Sequence, residues 1–212
     1  MRERISYKTI KEPVVYEQNI KKSKFFGRLF PAESMEAAQV QIDACKKEFW
    51  DASHNCSAMI IGIRSEYTRC SDDGEPQGTA GVPMLEALKK SEITNVLAVV
   101  TRYFGGTLLG TGGLVRAYTS SVSEAIKAAQ QILHTPVTEY EIILSFPLFG
   151  KTQAQLIGAG YLIEEITYAE HVTLQVFAEQ GKEAGLFALL SELSAGSVVP
   201  KEVRATYLSI EL

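Results

Sequence analysis

Three carboxylates crowd one short stretch of this chain: Asp72, Asp73 and Glu75 surround Gly74 in SDDGEPQGTAG. Oxygen ligands that close can hold a hard cation such as Mg²⁺. The stretch is not an EF-hand, because the alternating ligands and the glutamate at position twelve are missing. Asp73-Gly74 also suits a plain solvated turn. A second stretch with chemical content is NVLAVVTRYFGGTLLGTGGLVRAY, Asn95 to Tyr118. Here Arg102, Tyr103 and Arg116 flank Gly105, Gly106, Gly110, Gly112 and Gly113. Glycines between a strand and a helix start offer unpaired backbone N–H groups and a helix dipole to an anion. The spacing fits neither the phosphate-binding P-loop, which needs Gly-Lys-Ser/Thr, nor the dinucleotide fingerprint. The same glycines would equally serve a tight left-handed turn and close helix–strand packing. A third candidate is His54 with Cys56, two apart, which share a strand face but lack a third orienting group.

The elements that must position these groups follow from periodicity. Val96 to Val100 is an unbroken apolar run, suited to a strand buried on both faces. From Leu114, Val115, Tyr118, Val122, Ala125, Ile126 and Ala129 recur at helical spacing. Residues 6–20 read as an extended edge segment limited by Pro13. Lys21, Lys22, Lys24 and Arg28 surround Phe25 and Phe26, a basic patch able to grip phosphates or a solvated turn before a strand. Ser34 is placed to cap a helix carrying Met35, Ala38, Ile42, Cys45 and Phe49. A strand is predicted over Ser57–Ile63, a polar loop over Arg64–Gly78 and a short helix after Thr79–Pro83. The first series ends near Leu133, and His134-Thr135-Pro136 reads as a linker. From Glu139 the predicted order is β-α-β-β-α-β, the ferredoxin-like motif. Two domains are therefore expected, residues 1–134 and 135–212.

The composition is that of an ordinary soluble protein, with 46% hydrophobic and 22% charged residues among 212. No apolar run is long enough to span a membrane. The start, MRERISYKTIKEP, lacks the apolar core of a signal peptide. Cys45, Cys56 and Cys70 are odd in number and unsuited to a zinc knuckle, so free thiols in a cytoplasmic setting are expected. The net charge of −4 is unevenly spread: residues 1–134 hold 17 Lys+Arg against 15 Asp+Glu, and residues 135–212 hold 4 against 10. An acidic second half is a poor footprint for phosphate backbones.

The blocks HNCSA (His54–Ala58), SDDGEPQGTAG (Ser71–Gly81) and RYFGGTLLGTGGLVRAY (Arg102–Tyr118) resemble those of the IMPACT/YigZ family, and the resemblance covers the whole chain. It implies an α+β fold. The amino-terminal domain would be similar to the second domain of ribosomal protein S-five, and the carboxy-terminal one to the ferredoxin-like end of elongation factor G. The eukaryotic relatives regulate translation by competing for a partner of the general-control kinase. The expectation is thus a non-catalytic protein linked to translation that docks a ribosome-associated or translation-factor partner. Its surface would comprise Asp72, Asp73, Glu75, Arg102, Tyr103, Gly105, Gly106, Gly110, Gly112, Gly113 and Arg116, with no catalytic residue, cofactor or metal ligand assigned. Two alternatives stay open: an RNA- or nucleotide-binding protein using Gly105–Gly113, and a Mg²⁺-assisted enzyme on a phosphate substrate at Asp72, Asp73 and Glu75.

Overall fold

The computed structural model describes residues 4–212. They fall into two compact units, an amino-terminal one of residues 5–134 with 210–212 and a carboxy-terminal one built mainly from residues 135–209. The amino-terminal elements are β1 (Tyr7–Ile10), β2 (Val14–Ile20), β3 (Ser23–Pro31), α1 (Met35–Glu48), β4 (His54–Ile61), β5 (Tyr67–Ser71), α2 (Gly81–Lys90), β6 (Val96–Tyr103) and α3 (Thr111–Ala128). They are followed by β7 (Gln131–Leu144), α4 (Phe146–Gly158), β8 (Leu162–Tyr168), β9 (Val172–Glu179), α5 (Glu183–Ser194) and β10 (Lys201–Glu211).

One five-stranded sheet runs in the order β2-β3-β6-β4-β5. Its central strand is β6, and the apolar run is explained by layers on both faces. Val96, Ala98 and Val100 pack with Cys56, Ala58 and Ile60 of β4 beneath α2 and α3. Leu97 and Val99 pack with Met59 and Ile61 beneath α1. Each of the buried Val, Leu, Ile and Met side chains among them contributes about 1.5–3 kcal/mol relative to exposure. Helix α1 begins as its sequence asks: the Ser34 hydroxyl accepts from the Ala37 N–H at 3.1 Å.

Several boundaries differ from the sequence reading. The expected edge segment over residues 6–20 is two strands in different sheets, separated around Pro13. Strand β4 starts at His54, not Ser57, because the Arg102–Thr101 end of β6 offers it partners that far. The polar loop after Ile63 contains strand β5, whose mostly exposed residues carry no hydrophobic alternation. Helix α3 starts at Thr111, so Gly112 and Gly113 lie inside its first turn. The predicted linker at His134-Thr135-Pro136 is instead part of β7, and the division between the units falls inside that strand. Pro136 is tolerated because it sits between the β1 register, ending at His134, and the β9 register, starting at Val137.

From β7 onward the order β-α-β-β-α-β is that of the ferredoxin-like motif. Strands β7, β9 and β8 are neighbours in that order, and β10 also pairs β7. The core of this unit joins Tyr140, Ile142 and Leu144 to Leu156, Val172, Leu174, Val176, Leu186 and Leu190.

Candidate functional site

Period-two alternation along β6 puts Arg102 on the same face as Val96, Ala98 and Val100, at the strand's end. In register it lies opposite His54 of β4 and Phe25 of β3. Arg102 is only 5% exposed, a costly place for a charge unless paired. Its Nη1 donates to Glu75 Oε1 at 2.6 Å, and the Tyr118 hydroxyl donates to the same oxygen at 2.7 Å. The guanidinium carbon lies 5.4 Å from the Phe25 ring centre and 5.5 Å from that of Phe104. The rest of the fork is poorly used: Nη2 reaches Ser23 Oγ at 3.4 Å, and Nε has no partner.

His54 Nδ1 lies 2.9 Å from the Asp73 backbone oxygen. A carbonyl only accepts, so Nδ1 carries a proton and donates. That leaves Nε2 as the nitrogen facing Glu75 Oε2, 3.8 Å away. Cys56, on the same face two residues on, donates its thiol proton to the Asp72 backbone oxygen at 2.9 Å. Burial, with the charges of Glu75, Asp73 and Asp72 pushing the same way, raises the thiol to about 12. A thiol held there is not the thiolate that nucleophilic chemistry needs. Burial likewise raises the Tyr118 hydroxyl well above its ordinary value, and Cys56 and Glu75 add to it.

The three neighbouring carboxylates turn to three different sets of partners. Asp72 Oδ1 accepts from the Ala80 and Gly81 N–H groups at 3.0 and 2.8 Å, and Oδ2 from Gly78 N–H at 2.8 Å. It therefore caps α2, whose own N-cap residue Ala80 has no side chain able to do so. Burial alone would raise its carboxyl, but those backbone bonds outweigh it and hold it below the usual range. Asp73 Oδ2 accepts from Asn55 N–H at 2.7 Å, and Oδ1 pairs with the Lys46 ammonium at 2.5 Å. Its carboxyl is also lowered, the Lys46 and Asn55 bonds overcoming burial. Glu75 is the carboxylate that meets Arg102. Among the described residues no group of three or more His, Cys, Asp or Glu is arranged to hold a metal ion.

Above this network lies a pocket of about 440 Å³, lined by His54, Glu75, Pro76 and Arg102 and, from the glycine loop and α3, by Phe104, Leu108, Leu109, Gly110, Thr111 and Leu114. That is within the size range of small-molecule sites. Gly110, Thr111 and Leu114 bring the start of α3 to it. Gly105 has a different task. A Cβ there would stand 2.1 Å from the backbone of Lys22, so the loop lies flat against the β2–β3 turn. The Gly105 N–H also donates to Ser23 Oγ at 3.1 Å.

Of the residues the sequence singled out, the structure gathers Glu75, Arg102 and Gly110 at one pocket. Gly106 and Gly112 lie on the same loop and helix turn, and Gly113 packs under Leu109. Tyr103 alternates to the other face, where its hydroxyl donates to Asp51 at 2.8 Å. Arg116 is exposed on α3 and does not line the pocket. Sequence reasoning missed Tyr118 as the second donor to Glu75, and Phe104, Leu108 and Leu109 as the pocket's apolar wall. It weighed His54 only against Cys56, whereas His54 meets the Asp73 backbone and Glu75 and lies in register opposite Arg102. The even spacing of Val96, Ala98, Val100 and Arg102 was the available signal for the last point.

The profile of the Impact N-terminal domain matches residues 21–126, which carry this whole site, and that of a domain of unknown function, DUF1949, matches residues 142–197. IMPACT family member YvyE of Bacillus subtilis (strain 168) is 40% identical over 96% of this chain and 94% of its own length. IMPACT family member YigZ of Escherichia coli (strain K12) is 38% identical over 88% of this chain and 92% of its own. A crystal structure of a hypothetical protein superimposes with a TM-score of 0.62 at 36% identity, covering 95% of this chain and 99% of that one. With both domains matched in order and full-length relatives at this identity, the chain belongs to the IMPACT family.

Proposed function

We propose that this protein is a non-catalytic binding protein linked to translation, which docks a ribosome-associated or translation-factor partner through the glycine-loop surface of its amino-terminal unit. The observation that carries this reading is the contrast between the loop's rim and the network behind it. Leu108 is 83% and Phe104 48% exposed, whereas the Cys56 thiol and the Asp72 carboxylate behind them are committed to internal bonds. Apolar side chains displayed over a fixed polar base are the anatomy of a recognition surface. Family membership supports the link to translation, as do the resemblances it implies, to the second domain of ribosomal protein S-five and to the end of elongation factor G. A tagged pull-down from native lysate, with and without nuclease, tests the proposal. Capture of a translation component that survives nuclease and is lost with Leu108→Asp is expected; equal capture by that variant counts against it.

A second reading, RNA or nucleotide binding by the same unit, is favoured by one observation. The β2–β3 turn is Lys21-Lys22, both at positive φ (47° and 69°), held against Gly105. The two-residue hairpin between paired Ile20 and Ser23 asks for positive φ at both positions, and lysines rather than glycine or asparagine fill them. With Lys24 also exposed, three lysines cluster at the turn whose backbone meets Gly105. Capture that disappears with nuclease supports this reading instead.

A further inference from the structure

Gly112 has no internal reason to be glycine. It sits in the first turn of α3, outside the left-handed region, and a Cβ there would meet nothing nearer than Arg116 Nη1 at 4.0 Å. Alanine would make a better helix at that position. The preceding Gly110 is different, because φ 73° and ψ 165° is a backbone conformation that itself asks for glycine. A small residue such as Gly112, where the protein itself does not need it, marks close approach by something else.

Two further features say what approaches. The first intrahelical bond of α3 runs from Leu114 N–H to Gly110 O, so the N–H groups of Thr111, Gly112 and Gly113 precede it. No side chain caps this terminus, and no acidic residue stands in its first turn. Independently, Arg102 lines the same pocket while nine-tenths buried; its Nε is sealed inside without a partner, and its Nη2 is only at the limit of a hydrogen bond. Glu75 also lines the pocket, but it takes only one of the guanidinium's five N–H donors, sharing Oε1 with Tyr118, while its Oε2 faces His54 Nε2 at 3.8 Å. Free helix N–H groups and an under-used guanidinium on one cavity favour a tetrahedral oxyanion. The apolar wall adds a second requirement: Phe104, Leu108, Leu109 and Leu114 face whatever the anion is attached to.

We propose that this pocket binds a phosphate monoester, with its phosphoryl group on the N–H groups of Thr111 and Gly112 beside Arg102. Its apolar or aromatic part lies along Phe104, Leu108 and Leu114. This site is a small-ligand site and stands whether or not a macromolecular partner docks at the rim. It is tested on the purified full chain by titrating inorganic phosphate and phenyl phosphate while following backbone amide NMR shifts. Saturable shifts at Thr111 and Gly112 are expected with both, and phenyl phosphate binds at least about tenfold more tightly because its ring is removed from water. Gly112→Asp places a carboxylate where the phosphate would sit, a position the helix dipole favours. That variant stays folded and loses both ligands. The proposal is overturned if Thr111 and Gly112 move no more than the exposed amides of Lys21 and Lys22. It is also overturned if the phenyl group adds nothing, or if folded Gly112→Asp binds as the parent does.

Discussion

Replacing Asp72 separates a loop carboxylate that merely decorates the surface from one that holds the amino-terminal unit together. Its two oxygens accept from Gly78, Ala80 and Gly81 N–H groups at 2.8–3.0 Å, at the start of α2. Asp72→Ala removes a helix cap worth about 1 kcal/mol and a charge–dipole interaction worth about 0.5–1 kcal/mol. It also leaves a further N–H without its partner, at about 1 kcal/mol. Together the cost is about 3 kcal/mol. Asp72→Asn keeps one carbonyl oxygen for the α2 amides and loses the charge and one acceptor, so about half that cost is expected. Urea unfolding followed by circular dichroism gives the ranking, and amide hydrogen exchange at Ala80 and Gly81 localises it. The pH dependence supplies a second check. The Asp72 carboxyl is lowered in the folded protein, so its stabilisation is present above the unfolded value and is lost as pH falls through the folded one. The parent therefore loses stability on acidification below about pH 4, and Asp72→Asn loses less over the same interval. An Asn variant as damaging as Ala, or two variants within about 0.5 kcal/mol of the parent, would refute this account of the loop.

Two other outcomes follow from the ion pairs. Glu75→Ala leaves the Arg102 charge buried and unpaired and should cost about 3–5 kcal/mol; removing both side chains should cost clearly less than the sum of the single changes, as measured by a double-mutant cycle in urea. In the carboxy-terminal unit, Arg204 pairs with Glu139, Lys201 with Glu141 and Lys182 with Glu179, so three of its four basic residues are neutralised within the unit. A fragment of residues 135–212 should show no binding of single-stranded RNA by fluorescence anisotropy tighter than about 10⁻⁴ M at physiological salt. A micromolar, salt-sensitive curve would overturn that electrostatic argument.

Much of the fold was legible because it is written in burial. Five consecutive apolar residues in β6 announce a strand covered on both faces, and α1 carries both its cap at Ser34 and its stripe. The elements that escaped are those whose partners, not whose composition, define them. Strand β5 is an exposed edge paired only to β4, so Tyr67–Ser71 has no alternation to read. Strand β7 carries Pro136 through a gap between two registers that local sequence cannot show. The site divides in the same way. Glycines between Arg102 and α3 are a local signal and marked the pocket. The fate of the carboxylates is a matter of geometry: Asp72 and Asp73 are adjacent in sequence, yet one caps α2 and the other holds Lys46 and the β4 backbone. The approach of Glu75 to Arg102 and Tyr118 spans 27 and 43 residues, beyond any motif spacing.

The central claim is that binding takes place at the loop between β6 and α3 of the amino-terminal unit. Hydrogen–deuterium exchange on the complex recovered from lysate, compared with the free protein, tests it directly. The account predicts slowed exchange across residues 104–114 and at the Lys21-Lys22 turn, with the amides of β8 and β9 unchanged. Protection confined to residues 139–212, with the glycine loop exchanging as in the free protein, would contradict it.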